Sequence, residues 1–229
     1  MTLVLSAYRG LTGLSAPILN QLLNRRLERG KEDPVRYPEK RAEQMATRPD
    51  GPLLWCHGAS VGEALSILPL IDKLLAQNPA LSILVTTTTV TSATLMADRL
   101  PPRAIHQFAP LDHPGWVQRF LTHWRPDAAL WLESELWPNM LGELRDRQIP
   151  SVLINGRISD RSFARWQRFH GTVRTLLDCF SLCFGQSDQD CERLRILGAD
   201  RVEGVGNIKF AAPPLPVDSE AKKALQEAI

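Results

Sequence analysis

At 229 residues the chain has the length for one large α/β domain with a substantial core, or for two small ones. Hydrophobic residues make up 44% and charged residues 23%, the ordinary balance of a soluble globular protein, and a net charge of +2 excludes neither a membrane surface nor nucleic acid. Four cysteines, at 56, 179, 183 and 191, have neither CxxC pairing nor the dense spacing of a secreted scaffold, so buried free thiols in a reducing compartment are expected.

Residues 1–23 carry one charged side chain, Arg9, among Leu3, Val4, Leu5, Leu11, Leu14, Ile18, Leu19, Leu22 and Leu23. Gly10, Gly13 and Pro17 interrupt this run, which falls short of the roughly 20 unbroken apolar residues of a spanning helix. It also lacks the basic start and cleavage site of a signal peptide. Arg25, Arg26, Arg29 and Lys31 follow directly, as they would behind a helix lying in a membrane interface. An amphipathic helix packed on its own domain or on a partner explains the pattern equally well. Residues 1–50 hold nine Lys or Arg against six Asp or Glu, a modest excess that suits an anionic membrane surface and equally a solvated helix.

From Gly51 the chain alternates apolar runs with helical patterns. Strands are expected at 53–57, 82–87, 104–108, 128–132, 151–154, 181–184 and 201–205, and helices at 63–77, 92–99, 116–124, 138–147, 163–177 and 189–197. Pro69 is a potential kink in the first of these helices. Repeated βα units with continuous apolar strands predict a Rossmann-like α/β domain over 51–210: a parallel sheet with helices on both faces. Past Lys209, Ala211-Ala-Pro-Pro-Leu-Pro216 is a stiff segment and Asp218–Ile229 resembles the start of another helix, so residues 211–229 are expected to link to a further domain.

Such sheets bind ligands beyond the carboxyl ends of their strands. The segments falling there are His57-Gly-Ala-Ser-Val-Gly-Glu63, Thr86–Thr89, Ala109-Pro-Leu-Asp112, Glu133-Ser-Glu-Leu-Trp-Pro138, Asn155-Gly-Arg157, Gln186-Ser-Asp188 and Gly206-Asn-Ile-Lys209. Polar and glycine residues collect at this edge repeatedly, which points to one binding site.

The first segment supports two chemistries. Gly58-Ala-Ser-Val-Gly62 matches the G-x-S-x-G elbow of serine hydrolases, with Ser60 as nucleophile and Asp146 or Asp160 and His170 as its partners. Against this, His170 falls inside an expected helix and the elbow follows the first strand, with no preceding strands to build an oxyanion wall. Alternatively, Gly58 and Gly62 form a tight turn that brings backbone close to a ligand, and Glu63 sits in the first helical turn facing the crevice. An acid there is commonplace because it complements the helix dipole, and the same dipole favours the ionised form that a general base requires. Glu133 and Glu135, two residues apart after a strand, share a face if strand geometry persists; if the chain turns, one caps the next helix. No His/Cys/Asp cluster has metal-ligand spacing, and neither a dinucleotide fingerprint nor a Walker A motif is present, so no metal or cofactor is expected. Arg157 and Lys209 are candidates to pair a phosphate or a sugar-acid carboxylate, although a surface ion pair accounts equally for Arg157. Trp137 reads as core packing before it reads as a sugar platform, and His57 as a local hydrogen-bonding residue.

The ordered set of post-strand segments, joined by Gly30-Lys-Glu32, Leu84-Val-Thr-Thr-Thr-Thr89 and Gly206-Asn-Ile-Lys-Phe210, resembles the N-terminal domain of the 3-deoxy-D-manno-octulosonate (Kdo) transferases of lipid A. Each motif is weak alone; the ordered set is specific and covers nearly the whole chain. The resemblance implies half of a GT-B glycosyltransferase, with the lipid A precursor bound by this domain and CMP-Kdo by an absent C-terminal one. It implies that Glu63 is the base of an inverting transfer and gives Glu133 an orienting role, with Ser60, Gly62, Arg157 and Lys209 around the acceptor. It further implies association with the cytoplasmic face of a bacterial inner membrane, no nucleic-acid partner, and a chain inactive without its second half. Asn155-Gly156-Arg157 departs from the family by having Gly where Ala is usual. A serine hydrolase and a non-catalytic lipid- or sugar-binding module are the competing readings.

Overall fold

A computed structural model describes residues 2–133 and 135–211. The expected linker beyond Ala211 and the helix start at Asp218 lie outside the described residues. The strands are β1 Leu53–His57, β2 Ser82–Thr87, β3 Ala104–Phe108, β4 Ala128–Leu132, β5 Ser151–Gly156, β6 Leu182–Gly185 and β7 Val202–Gly204. They form one parallel sheet in the order β3-β2-β1-β4-β5-β6-β7. The order reverses between β1 and β4, so the crevice at their carboxyl ends is the topological switch point at which such sheets hold ligands.

Alternation along the strands divides the interior into two cores. Leu53, Trp55, Leu84, Ala129 and Trp131 point to one face, where α5 (Pro114–Trp124), α6 (Pro138–Asp146), α8 (His170–Leu177) and α9 (Asp188–Ile196) cover them. Cys56, Ile83, Val85 and Leu132 point to the other, under α3 (Val61–Gln77) and α4 (Val90–Arg99). All four cysteines are buried and unbridged, and burial pushes the Cys56 and Cys183 thiols up to about 12.

Four of the helix starts on the carboxyl edge share one local rule. Ser60, Thr89, Ser159 and Ser187 are N-caps of α3, α4, α7 (Asp160–Arg168) and α9, each accepting a hydrogen bond from the backbone N–H three residues on. α3 runs unbroken through Pro69. The single helix expected over 163–177 is instead two, α7 and α8, separated at Phe169, whose φ of −117° and ψ of 40° are not helical.

The N-terminal segment packs on the domain. It forms α1 (Leu3–Gly13) and α2 (Ala16–Glu28), with Leu5 and Leu23 buried. Tyr8 donates to Asp112 Oδ2 at 3.1 Å, and Asn139 Nδ2 donates to Thr12 Oγ1 at 3.0 Å, fixing α1 against the starts of α5 and α6. Farther on, Phe108 N–H donates to Glu39 Oε2 and Leu111 N–H to the Lys40 carbonyl, joining residues 37–41 to the end of β3. Leu3, Val4, Leu11, Leu14, Ile18 and Leu22 remain exposed, so the docked helices keep an apolar outer surface.

Candidate active site at the switch point

Glu63 lies at the third position of α3 and is 6% exposed. Its carboxylate accepts from Ser60 Oγ at 2.6 Å through Oε1 and from the Ala59 backbone N–H at 2.8 Å through Oε2. The Ser60 hydroxyl oxygen in turn lies 3.4 Å from the Glu63 backbone nitrogen, whose N–H it caps. Gly58 suits this turn, because a Cβ there would come within 3.2 Å of Glu63 Cβ, a tighter contact than side chains usually make. Gly62 differs: a Cβ there would meet nothing within 4 Å, so the fold leaves open space in front of it.

Glu63, Glu133, Glu135, Arg157, Ser159 and Ser162 line one open cavity of about 320 Å³. Strand geometry does not persist through Glu133. Its N–H still pairs with the Ile154 carbonyl at 2.9 Å, but its φ of 54° is left-handed and turns the chain. Such backbone in a non-glycine residue is sparsely populated and concentrates at functional sites. Despite the turn, both Glu133 and Glu135 reach the cavity. Glu133 Oε1 accepts from Lys209 Nζ at 2.7 Å. Glu135 Oε2 accepts from Trp137 Nε1 at 2.8 Å, while its carbonyl accepts from Trp131 Nε1 at 2.6 Å. Trp137 also stacks edge-on against His57, with centroids 5.0 Å apart, so it is attached to the core as the sequence pattern suggests.

Burial is the largest influence on Glu63 and raises its carboxyl above the ordinary value of 4.5. The Ser60 and Ala59 hydrogen bonds oppose it, and repulsion from Glu133 and Glu135 adds to it. A carboxylate moved this way is more basic than an exposed one and is already oriented by two donors.

His57 is fully buried behind this edge. Its Nδ1 lies 2.9 Å from Thr86 Oγ1, which also accepts from Trp55 Nε1, and burial depresses its pKa to about 3. It is a neutral core residue. The hydrolase constellation does not assemble: the Ser60 hydroxyl is directed to Glu63, and His170 Nε2 to the Ile196 carbonyl. Asp146 pairs with Arg145, and Asp160 with Arg193.

Of the six residues singled out from sequence, Glu63, Glu133 and Arg157 line the cavity, Ser60 joins it through Glu63 and Lys209 through Glu133, and Gly62 precedes Glu63 in the first turn of α3. Two features escaped the sequence reading. Ser159 and Ser162 line the cavity, the first within the Asn155–Ser159 motif but not singled out. Asn155, at a φ of 58°, accepts from Ile208 N–H at 3.1 Å through its side chain, holding the turn that carries Lys209.

A family model described as 3-deoxy-D-manno-octulosonic-acid transferase (kdotransferase) matches residues 25–212, spanning every motif that builds this site. The chain belongs to the Kdo transferase family. A 3-deoxy-D-manno-octulosonic acid transferase of Rickettsia bellii is 36% identical over 220 residues, which are 96% of this chain and 52% of that protein. Its counterpart in Haemophilus influenzae is 32% identical over 182 residues, 76% of this chain and 43% of that protein. The chain thus spans about half the length of these family members. In three dimensions it resembles a UDP-GlcNAc 2-epimerase from Neisseria meningitidis bound to UDP-GlcNAc, with a TM-score of 0.54 and 13% identity over 78% of this chain and 54% of the other. At that identity the likeness concerns the fold alone: a Rossmann-like parallel sheet forming one half of a GT-B arrangement.

Proposed function

We propose that this domain is the acceptor-binding half of an inverting Kdo transferase, acting with a separate donor-binding domain that holds CMP-Kdo. The observation that carries the proposal is the Glu63 carboxylate, buried, oriented by Ser60 and Ala59, and facing a polar cavity at the switch point. In this mechanism Glu63 takes the proton from a glucosamine 6-hydroxyl of a lipid A precursor. The hydroxyl oxygen bonds to the Kdo anomeric carbon as the bond to the CMP phosphate breaks, the electron pair leaves with CMP, and the configuration inverts. Glu133 orients the acceptor, with its own position set by Lys209; Arg157 and Lys209 supply positive charge for a phosphate or for the Kdo carboxylate. Gly62 lets the acceptor approach the backbone.

The transfer needs no metal in this proposal. The three acids are engaged separately, Glu63 by Ser60 and Ala59, Glu133 by Lys209 and Glu135 by Trp137, and are not gathered as ligands of one cation. Full turnover in excess chelator is the expected result. No helix among the described residues is long and apolar enough to cross a membrane. The exposed leucines of α1 and α2, with Arg25, Arg26 and Arg29 behind them, support peripheral attachment to an anionic membrane surface, in bacteria the cytoplasmic face of the inner membrane.

The deciding experiment measures transfer of Kdo from CMP-Kdo to a lipid A precursor by the two-domain protein and its Glu63→Gln variant. Loss of turnover with an unchanged fold supports the base assignment, and near-normal transfer by the variant ends it.

A further inference from the structure

A second cavity, of about 420 Å³, lies beneath α2 at the same edge of the sheet and has no part in the chemistry above. Leu22 and Leu23 of α2 form its roof, and Ala59, Ala109, Leu111 and Trp137, from the segments after β1, β3 and β4, form much of the remaining wall. Glu135 lines both cavities, and Ala59, whose N–H holds Glu63, lines this one. The two spaces therefore share a wall at the proposed base.

Of the four charged groups bordering the second cavity, Arg26, Glu32 and Lys40 engage one another, and the Glu135 carboxylate accepts from Trp137. Lys40 Nζ bonds the Glu32 carboxylate and the Thr88 carbonyl, and Arg26 Nε bonds Glu32 Oε1 at 2.5 Å. What the cavity offers an occupant is mainly hydrocarbon, in a volume within the range of ligand sites. Leu22, at its mouth, is 48% exposed, and Ile18, one helical turn earlier on α2, is 69% exposed. An apolar track thus runs from the outer surface of α2 to the cavity mouth.

We infer that the cavity beneath α2 is a hydrocarbon subsite that takes one acyl chain of the amphiphilic acceptor whose hydroxyl faces Glu63. The inference rests on the acceptor reading of this site and adds a determinant to it. A sugar alone would leave the space beneath α2 unfilled, whereas an acyl chain anchored there holds the headgroup beside the shared wall. α2 is then a roof over bound lipid as well as an outer surface.

The test is a fluorescence titration of this chain with a dansyl-labelled undecanoic acid. Wild type is compared with Leu22→Glu, Leu11→Glu and Glu63→Gln, with circular dichroism confirming the fold of each. One saturable site is expected. Leu22→Glu should weaken it about tenfold or more, because a charge at the mouth must be desolvated. Leu11→Glu, on the exposed side of α1, and Glu63→Gln should leave it unchanged. Absence of saturable binding overturns the subsite, as does an unaltered Leu22→Glu variant. Equal weakening by Leu11→Glu, the signature of adsorption to the apolar exterior, also overturns it. Normal transfer by Glu63→Gln alongside Leu22-dependent binding would sink the base assignment and leave the subsite standing. Glu63-dependent transfer without probe binding would do the reverse.

Discussion

Glu63 and Glu133 line the same cavity but are held there by opposite means. Glu63 is fixed by Ala59 and Ser60, within four residues of itself, in a turn that needs little beyond its own sequence. Glu133 is fixed by Lys209, 76 residues away, across a left-handed turn and at the far end of three further strands. The first carboxylate is buried and made more basic; the second is part-exposed and ion-paired. A proton acceptor benefits from local rigidity and desolvation, whereas an orienting group can depend on how the sheet is assembled. The contrast assigns different sensitivities to the two acids.

The sharpest way to break that contrast is Glu63→Gln in the two-domain protein. The amide retains an oxygen for the Ala59 N–H, so stability should hold while turnover falls by about 10²–10⁴, the range for lost general-base catalysis. Thermal melts alongside single-turnover rates check both halves of this statement. A pH profile refines it. Because Glu135 repels the ionised Glu63, Glu135→Gln should move the acidic limb of kcat/KM to lower pH, towards the ordinary carboxylate range.

Next in size is the pH dependence of folding, which reports on His57 behind Glu63 and on His106 of the edge strand β3. His57 and His106 are both depressed to about 3 from 6.5, His57 by burial and His106 by burial and the neighbouring Arg36. The unfolded chain takes up protons below pH 6.5 that the folded chain refuses. Stability is therefore fully present above about 6.5 and lost as the pH falls towards 3, by about 1.4 kcal/mol per pH unit for each histidine. Urea unfolding midpoints across pH 7 to 4 should show this slope, and His57→Gln should remove one proton's share of it.

Lys209→Ala tests the long-range half of the comparison. The pair is part-exposed, so stability should change by less than about 1 kcal/mol, yet Glu133 loses the partner that orients it. Transfer rates for Lys209→Ala, Glu133→Ala and the double variant should show non-additive losses; simple additivity would mean the two residues act separately. The smallest structural effect is expected from Gly62→Ala. Its Cβ meets no atom of the protein, and alanine suits a helix better by about 0.5–1 kcal/mol. Stability should hold or rise slightly, and any fall in acceptor affinity then measures how closely the acceptor approaches the Gly62 backbone.

The same division between local and long-range determination runs through what was legible in the chain. Seven strands were expected and seven formed among the described residues; the central ones were legible because residues buried on both faces of a parallel sheet are apolar throughout, whereas the edge strand β7 carries exposed Glu203 and Gly204. The expected span Glu63–Gln77 missed only the first two residues of α3, since Ser60 and Glu63 already carry its cap in sequence. The span 163–177 failed because helical periodicity alone does not register the break at Phe169, which redirects the chain between α7 and α8. At the site, the clustering of Ser60, Glu63 and Glu133 followed from placing them after strands. Lys209's bond to Glu133 and Asn155's bond to Ile208 did not, because each joins residues more than 50 positions apart through sheet register.

The N-terminal helices show the limit most clearly. Their composition was compatible with a membrane interface and with packing on the domain, and no periodicity separates the two, since both require an apolar stripe. Tertiary structure decided the docked half: Leu5 and Leu23 are buried, and Tyr8 and Thr12 bond Asp112 and Asn139. It also created the cavity beneath α2, which exists only because segments after four different strands, β1 to β4, meet one helix. What the amino-acid order determined by itself is what short-range physics encodes: strands from apolar runs, helix starts from caps, and an oriented Glu63 from its own turn. The pairing of distant charges and the enclosure of space depend on which elements become neighbours, and that was settled by the order in which seven strands assembled into one sheet.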